Sequence, residues 1–235
     1  MNDKKPLGKK NYGSIPHLIN SKIYEKADKK ISESQGELLT KKTRDRYDLI
    51  IVQEKVDGSN VGVCKIGNQI YPIGRSGYLA NTSRFKQHKL FYDWVMLNYK
   101  RFFELLEDGE RVCGEWLLQV HSLKYELKHE PFVVFDIIKG DERLPYISFL
   151  KRVLKYDFIT ANLVHIGQPI STDKAMKILD CSVHNCLEEP EGLVYRLERK
   201  GKVEFLAKYV RPGKEDGKYM VDEIYNKGWE QYFKI

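Results

Sequence analysis

Residues 61–73 constrain the fold more than any other stretch. Val61-Gly-Val-Cys-Lys-Ile66 and Gln69-Ile-Tyr-Pro-Ile73 are short β-rich runs separated only by Gly67-Asn68. Two residues of that kind close an antiparallel hairpin, whereas a parallel connection needs a dozen or more. The pattern returns late in the chain, where Leu193–Leu197 and Val203–Val210 flank Lys200-Gly201. Further strands are predicted at Leu49–Val52, near Arg111–Leu117 and at Pro131–Ile138. Helical spacing of apolar residues predicts one helix over Phe85–Leu106, ended by Asp108-Gly109. Other helices are expected near Ile147–Tyr156, from Ser171 to about Leu179 behind a hydroxyl N-cap, and over Tyr219–Phe233. Hairpins mixed with helices predict an α+β fold of mostly antiparallel sheets flanked by helices.

The 235 residues suffice for one sizeable core. We read a basic lead-in over 1–45 that lies on the main domain, a core over 46–212 and a C-terminal helical tail over 213–235. No apolar run is long enough to span a membrane, and MNDKKPLGKK lacks the apolar segment of a secretory signal. The expectation is a cytoplasmic protein. Cys181, His184 and Cys186 fit no common zinc spacing, so the four cysteines are read as buried or idle thiols. The net charge of +7 suits a chain that meets phosphates, although many basic proteins bind none.

The chemistry starts at Lys55. A protonated lysine is a poor nucleophile, and burial or neighbouring cations free its lone pair by lowering its pKa. Lys55 follows the apolar run Leu49–Val52 and opens K-x-D-G-x-N with Asp57, Gly58 and Asn60. Gly74-Arg75-Ser76-Gly77, Cys113-Gly114-Glu115-Trp116, Phe135-Asp136-Ile137, Glu191-Gly192-Leu193-Val194 and Ala207-Lys208-Tyr209-Val210-Arg211 follow in order. Each alone has an ordinary reading: a solvated lysine, a turn, a core phenylalanine, a hairpin entry. Six such elements in this order do not arise by chance.

The order resembles the covalent nucleotidyltransferase superfamily of polynucleotide ligases and mRNA capping enzymes, from about Tyr47 to Arg211. Within it the chain is most similar to ATP-dependent RNA ligases of the phage and RNA-repair type. Asn60 stands where DNA ligases and capping enzymes typically carry arginine, and GEWLLQVHSLKYELKHEPFVVFDI and YGSIPHL also look like RNA ligase sequence.

The resemblance implies a nucleotide pocket between the sheets, with Lys55 attacking the α-phosphate of ATP to form lysyl-AMP. It implies that Glu54 positions the adenine, Phe135 stacks on it, and Arg75 and Glu115 hold the ribose. Glu191 would bind Mg2+ or Mn2+, and Lys208 would contact the α-phosphate. Asp57 lies beside the nucleophile, and Asn60 would serve the later sealing step. RNA ends bearing a 5′-phosphate and a 3′-hydroxyl would be the partners.

The family usually shows two lysines two residues apart in its last motif. Here Lys208 has valine at 210, and Arg211 is the candidate second cation. The stretch after Arg211 is too short for the OB-type or helical domain that most relatives carry. A single-domain ligase is expected, a monomer or one that relies on a protein partner, in the host cytoplasm if viral. A DNA ligase or capping guanylyltransferase and a catalytically inactive RNA-binding relative are the alternatives.

Overall fold

The computed structural model describes residues 5–24, 28–220 and 224–233. Ten strands build two sheets: β1 (Asp48–Glu54), β2 (Ser59–Ile66), β3 (Gln69–Gly74), β4 (Glu110–Trp116), β5 (Phe132–Lys139), β6 (Glu142–Arg143), β7 (Ile159–Thr160), β8 (Leu163–Gly167), β9 (Gly192–Arg199) and β10 (Lys202–Val210). One sheet runs β10-β9-β1-β8, and the other runs β3-β2-β4-β5-β6 with β7 beside β5. Among the strand pairs of the described residues, the short β5–β7 pairing alone is parallel, so the α+β, largely antiparallel expectation holds. Both predicted hairpins form, β2–β3 and β9–β10. Among the described residues no helix is long and apolar enough to cross a membrane.

Alternation sorts the side chains of the first sheet. Leu193, Tyr195, Leu197, Ala207 and Tyr209 join a core with α1 (Glu33–Thr40) and α5 (Thr172–Leu179). The residues between them, Val194, Arg196, Leu206 and Lys208, line a pocket on the opposite face. The second sheet packs Trp116 and Phe132 against Phe91 and Trp94 of α2 (Lys86–Leu97), Phe102 of α3 (Tyr99–Leu105) and Phe149 of α4 (Tyr146–Leu154). Helices therefore cover the outer faces, and the inner faces are left to form a cleft.

The single helix expected over Phe85–Leu106 is two helices, broken at Asn98. The Asn98 side-chain Nδ2 donates to the carbonyl of Trp94 at 2.8 Å, which interrupts the regular ladder. The helix expected over Tyr219–Phe233 is replaced, in the described residues, by extended chain and a 3-10 turn at Glu230–Phe233. Its backbone pairs with the loop after β4 instead of with itself: Val120 N donates to Ile224 O at 2.9 Å and Asn226 N to Leu118 O at 2.8 Å. Residues 221–223 of that stretch lie outside the described residues. The sequence reading also missed α1, closed by a Ser32/Gln35 capping box, and the strands β7 and β8.

The basic lead-in does more than rest on the core. Asn11 N donates to Arg75 O at 3.0 Å on one sheet, while Lys208 N donates to Pro16 O and Leu18 N to Lys208 O, both at 2.9 Å, on the other. The segment bridges the two sheets and covers the backbone edge of β10.

Candidate active site

Lys55 lies one residue beyond β1, held there by its backbone N–H donating to Gly192 O at 2.9 Å. Two glycines permit this geometry. A Cβ on Gly58 would sit 2.7 Å from Trp116 O, and one on Gly192 would sit 1.9 Å from Tyr209 O. The chain can therefore turn tightly after Asp57 and bring Glu191 directly against the nucleophile.

Lys55 marks the seam between two cavities. On one side is a pocket of about 180 Å³ lined by Tyr12, Glu54, Phe135, Ala161, Val194 and Arg196. On the other is an open cleft of about 1090 Å³ lined by Asp57, Ser59, His121 and Glu191, among others. Lys55, Asn60, Arg75, Glu115 and Lys208 line both. The fold thus brings together nine of the ten residues singled out in the sequence.

Arg211 is the exception. Its Nε donates to Pro190 O at 2.9 Å and its guanidinium pairs with Glu189 at 3.1 Å, so it braces the loop before β9 and lines neither cavity. Lys214, which the sequence reading missed, likewise lines neither cavity but is a second lysine paired with the Glu191 carboxylate. It is 1% exposed and its Nζ lies 3.0 Å from Glu191 Oε1 and 3.3 Å from Asp57 Oδ1. Nothing in the polar run Arg211-Pro-Gly-Lys-Glu-Asp-Gly distinguishes that lysine from a solvated one.

Asp57 is fixed from three directions. Its Oδ2 accepts from the backbone of Ser122 at 2.8 Å and Leu123 at 2.9 Å, its Oδ1 faces Lys214, and its own N–H donates to Tyr125 Oη at 3.1 Å. Lys55 Nζ donates to Glu191 Oε2 at 2.6 Å. The pKa of this ammonium runs opposite to the sequence expectation. Burial lowers it, but the carboxylates of Glu191, Glu115 and Asp57 outweigh burial and raise it, so this arrangement favours Lys55 as a cation. The pKa of Lys208 is lowered, by burial and by the charge of Lys55. Burial pushes the Glu115 carboxyl up to about 8 and that of Glu54 up to about 7.

Phe135 reaches the small pocket through a β-bulge. Gly114 pairs with Val134 and Cys113 with Asp136, so Phe135 is the extra residue. Its ring meets Tyr12 edge-on at 5.1 Å between centroids. Behind it, buried Asp136 accepts from Tyr12 Oη at 2.7 Å and Arg143 Nε at 3.0 Å, and it also pairs with Arg196 across the sheets. Tyr12 belongs to YGSIPHL; its place in the pocket wall was not foreseen. Two buried acceptors, Glu54 Oε2 and Asn60 Oδ1, have no hydrogen-bond partner, and their residues line the small pocket. Buried oxygens left this way are costly unless a ligand satisfies them.

The paired sheets form the nucleotidyltransferase-type fold that ligase structures share. The RNA ligase family model matches residues 48–210, so the chain belongs to the RNA ligase family. A variant of Naegleria gruberi RNA ligase without ligand is 17% identical, with a TM-score of 0.53 over 83% of this chain and 59% of its own. Another variant of that ligase, with ATP and Mn, is 15% identical, with a TM-score of 0.54 over 86% of this chain and 61% of its own. An Aquifex aeolicus chain described as an ATP-dependent DNA ligase gives 16% identity and a TM-score of 0.53 over 85% of this chain and 49% of its own. These likenesses establish the shared fold; the chain spans 59% of the length of the first Naegleria structure. Comparison with curated proteins gives no match.

Proposed function

We propose that this chain is a single nucleotidyltransferase domain that seals RNA by an ATP-dependent covalent mechanism, joining a 5′-phosphate to a 3′-hydroxyl. The observation that carries the reading is Lys55 at the seam of the two cavities, with one side sized for a base and the other open to a strand.

The residues present fit the nucleotide. Phe135 offers an aromatic face, and Glu54 Oε2 is an unpartnered acceptor for the exocyclic amine of adenine, which guanine lacks at that position. Arg75 and Glu115 lie at the junction where a ribose would sit, and Lys208 adds positive charge beside Lys55. The carboxylate of Glu191 suits a divalent cation such as Mg2+ or Mn2+. Among the described residues no cluster of three or more His, Cys, Asp or Glu that could hold a metal ion is found. When bound, the cation supplies charge neutralisation on the polyphosphate.

Lys55 and that cation need the same carboxylate. Release of Lys55 from its 2.6 Å ion pair with Glu191 removes the largest influence raising its pKa, and burial then favours the neutral amine. The lone pair attacks the α-phosphorus, a P–N bond forms and pyrophosphate leaves. AMP then passes to the 5′-phosphate of RNA as the P–N bond breaks, and finally a 3′-hydroxyl displaces AMP as the strand closes. Asn60, in both cavities, is placed to serve this last step. Positioning and cations supply the catalysis of all three transfers.

Incubation with Mg2+ and α-labelled ATP or GTP, with Lys55→Ala beside it, tests the reading. Label from ATP that survives denaturation and vanishes in Lys55→Ala supports it. Label from GTP alone would replace it with a capping activity, and sealing of nicked DNA in preference to RNA would replace it with a DNA ligase. Absence of label from folded protein shown by mass to carry no AMP would leave an inactive RNA-binding relative.

A further inference from the structure

The open cleft extends past Lys55 into a lobe unlike the rest of the site. Its walls carry two imidazoles, His88 and His121, and the hydroxyls of Ser59, Thr82 and Ser83. His121 Nε2 lies 3.0 Å from Ser59 Oγ, and Ser59 Oγ donates to Gln87 Oε1 at 2.9 Å. The Ser59 lone pair therefore receives the His121 Nε2–H, and Nδ1 is the nitrogen that can gain a proton. His88 contacts a hydroxyl through its other nitrogen, Nδ1, 2.9 Å from Ser83 Oγ, which itself accepts from Phe85 N. At the rim, Tyr78 and Phe85 are 49% and 45% exposed, with Lys5 over the Tyr78 ring at 5.2 Å and Arg84 over the Phe85 ring at 4.8 Å. None of these groups has a part in activating Lys55.

We propose that this lobe seats the phosphorylated end of the RNA, with His88 and His121 binding its terminal phosphate and Tyr78 and Phe85 offering faces to its bases. The inference rests on the RNA-sealing reading and deepens it. A terminal phosphate monoester is close to dianionic at neutral pH, unlike the monoanionic diesters along a strand. Two imidazoles that gain charge only when an anion arrives discriminate these better than fixed cations, which attract any phosphate. Burial lowers the pKa of both rings. Around His121, Asp57, Asp216 and Glu191 oppose that shift and Lys214 adds to it; around His88, the charge of His121 adds to it. Both rings thus favour the neutral form more than a solvated imidazole does. Flanking aromatic faces with cations are the usual platform for single strands, which every base can use.

The test is the affinity of the whole protein, without ATP, for one short RNA bearing either a 5′-phosphate or a 5′-hydroxyl, read by fluorescence anisotropy from pH 5.5 to 8.5. The wild type should prefer the phosphate by about tenfold near pH 6 and lose the preference as pH rises. His88→Asn with His121→Asn should abolish the preference at every pH. Tyr78→Ala with Phe85→Ala should weaken both RNAs alike. A preference that persists in the histidine variant, with its thermal melt matching the wild type, overturns the proposal. So does a variant that keeps the preference but needs more ATP for half-maximal labelling of Lys55, because the lobe would then hold the leaving pyrophosphate. Failure of Lys55 labelling in the wild type is a separate result: it removes the ligase reading while the anisotropy still reports on the lobe.

Discussion

Lys214 Nζ lies 3.0 Å from Glu191 Oε1, on the opposite side of that carboxylate from Lys55. The buried lysine also faces Asp57, so it separates two carboxylates that would otherwise repel within the nucleophile's surroundings. It pairs with Glu191, the partner of Lys55, whereas Arg211 pairs with Glu189.

Lys214→Ala should therefore slow formation of the Lys55 adduct by about 10²-fold, the usual scale for removing one preorganised charge from a phosphoryl-transfer site. Arg211→Ala should cost much less, since its partners are Glu189 and the carbonyls of the neighbouring loop. Single-turnover labelling with ATP ranks the two. Equal losses would return Arg211 to the site.

Glu54 makes stability depend on pH. Its carboxyl, 3% exposed, is raised from 4.5 to about 7 by burial, with the Ser182 hydroxyl pulling weakly the other way. The folded chain holds this proton more tightly than the unfolded chain. The stabilising effect is fully present below pH 4.5 and is lost as pH rises through 7. Glu54→Gln, neutral throughout, should match the wild type near pH 4.5 and exceed it at pH 8 by about 3 kcal/mol at most. Urea unfolding at the two pH values measures the difference; a gain at pH 4.5 instead would show that Glu54 is not buried as a neutral acid.

Asp136 and Arg196 form the buried link between the sheets, at 0% and 2% exposure. Removing one partner of such a pair costs about 3–5 kcal/mol, because the other charge is left in a dry interior. Asp136→Leu should lose that much in denaturant unfolding. Asp136→Leu combined with Arg196→Met should recover a good part, with Arg143 turning outward from its quarter-exposed position. A double variant as weak as the single one would mean that packing, and not charge, holds the sheets together here.

The sheet pattern was legible because hairpins are local: Gly67-Asn68 and Lys200-Gly201 dictate their own pairing. The assembly of Lys55, Glu115, Glu191 and Lys208 was legible through the order of the motifs. Lys214 was not, since its burial comes from Asp57 and Glu191 meeting it across long loops. Tyr12 depends on Asp136, far along the chain, and the turn at Asn98 depends on a side-chain amide competing for a carbonyl. The charge state of Lys55 was misjudged for a related reason: burial was foreseen, but three acids converging on one amine were not.

The bridging lead-in has a consequence for the chain during its synthesis. Pro16 and Leu18 find their backbone partner only when Lys208 has been made, and Glu191 reaches Lys55 only when the Gly192 carbonyl has docked. Until β9 and β10 have been made, Lys55 lacks Glu191 and the small pocket lacks the wall of Val194, Arg196, Leu206 and Lys208. The site is therefore assembled late, by strands that lie far along the chain from Lys55.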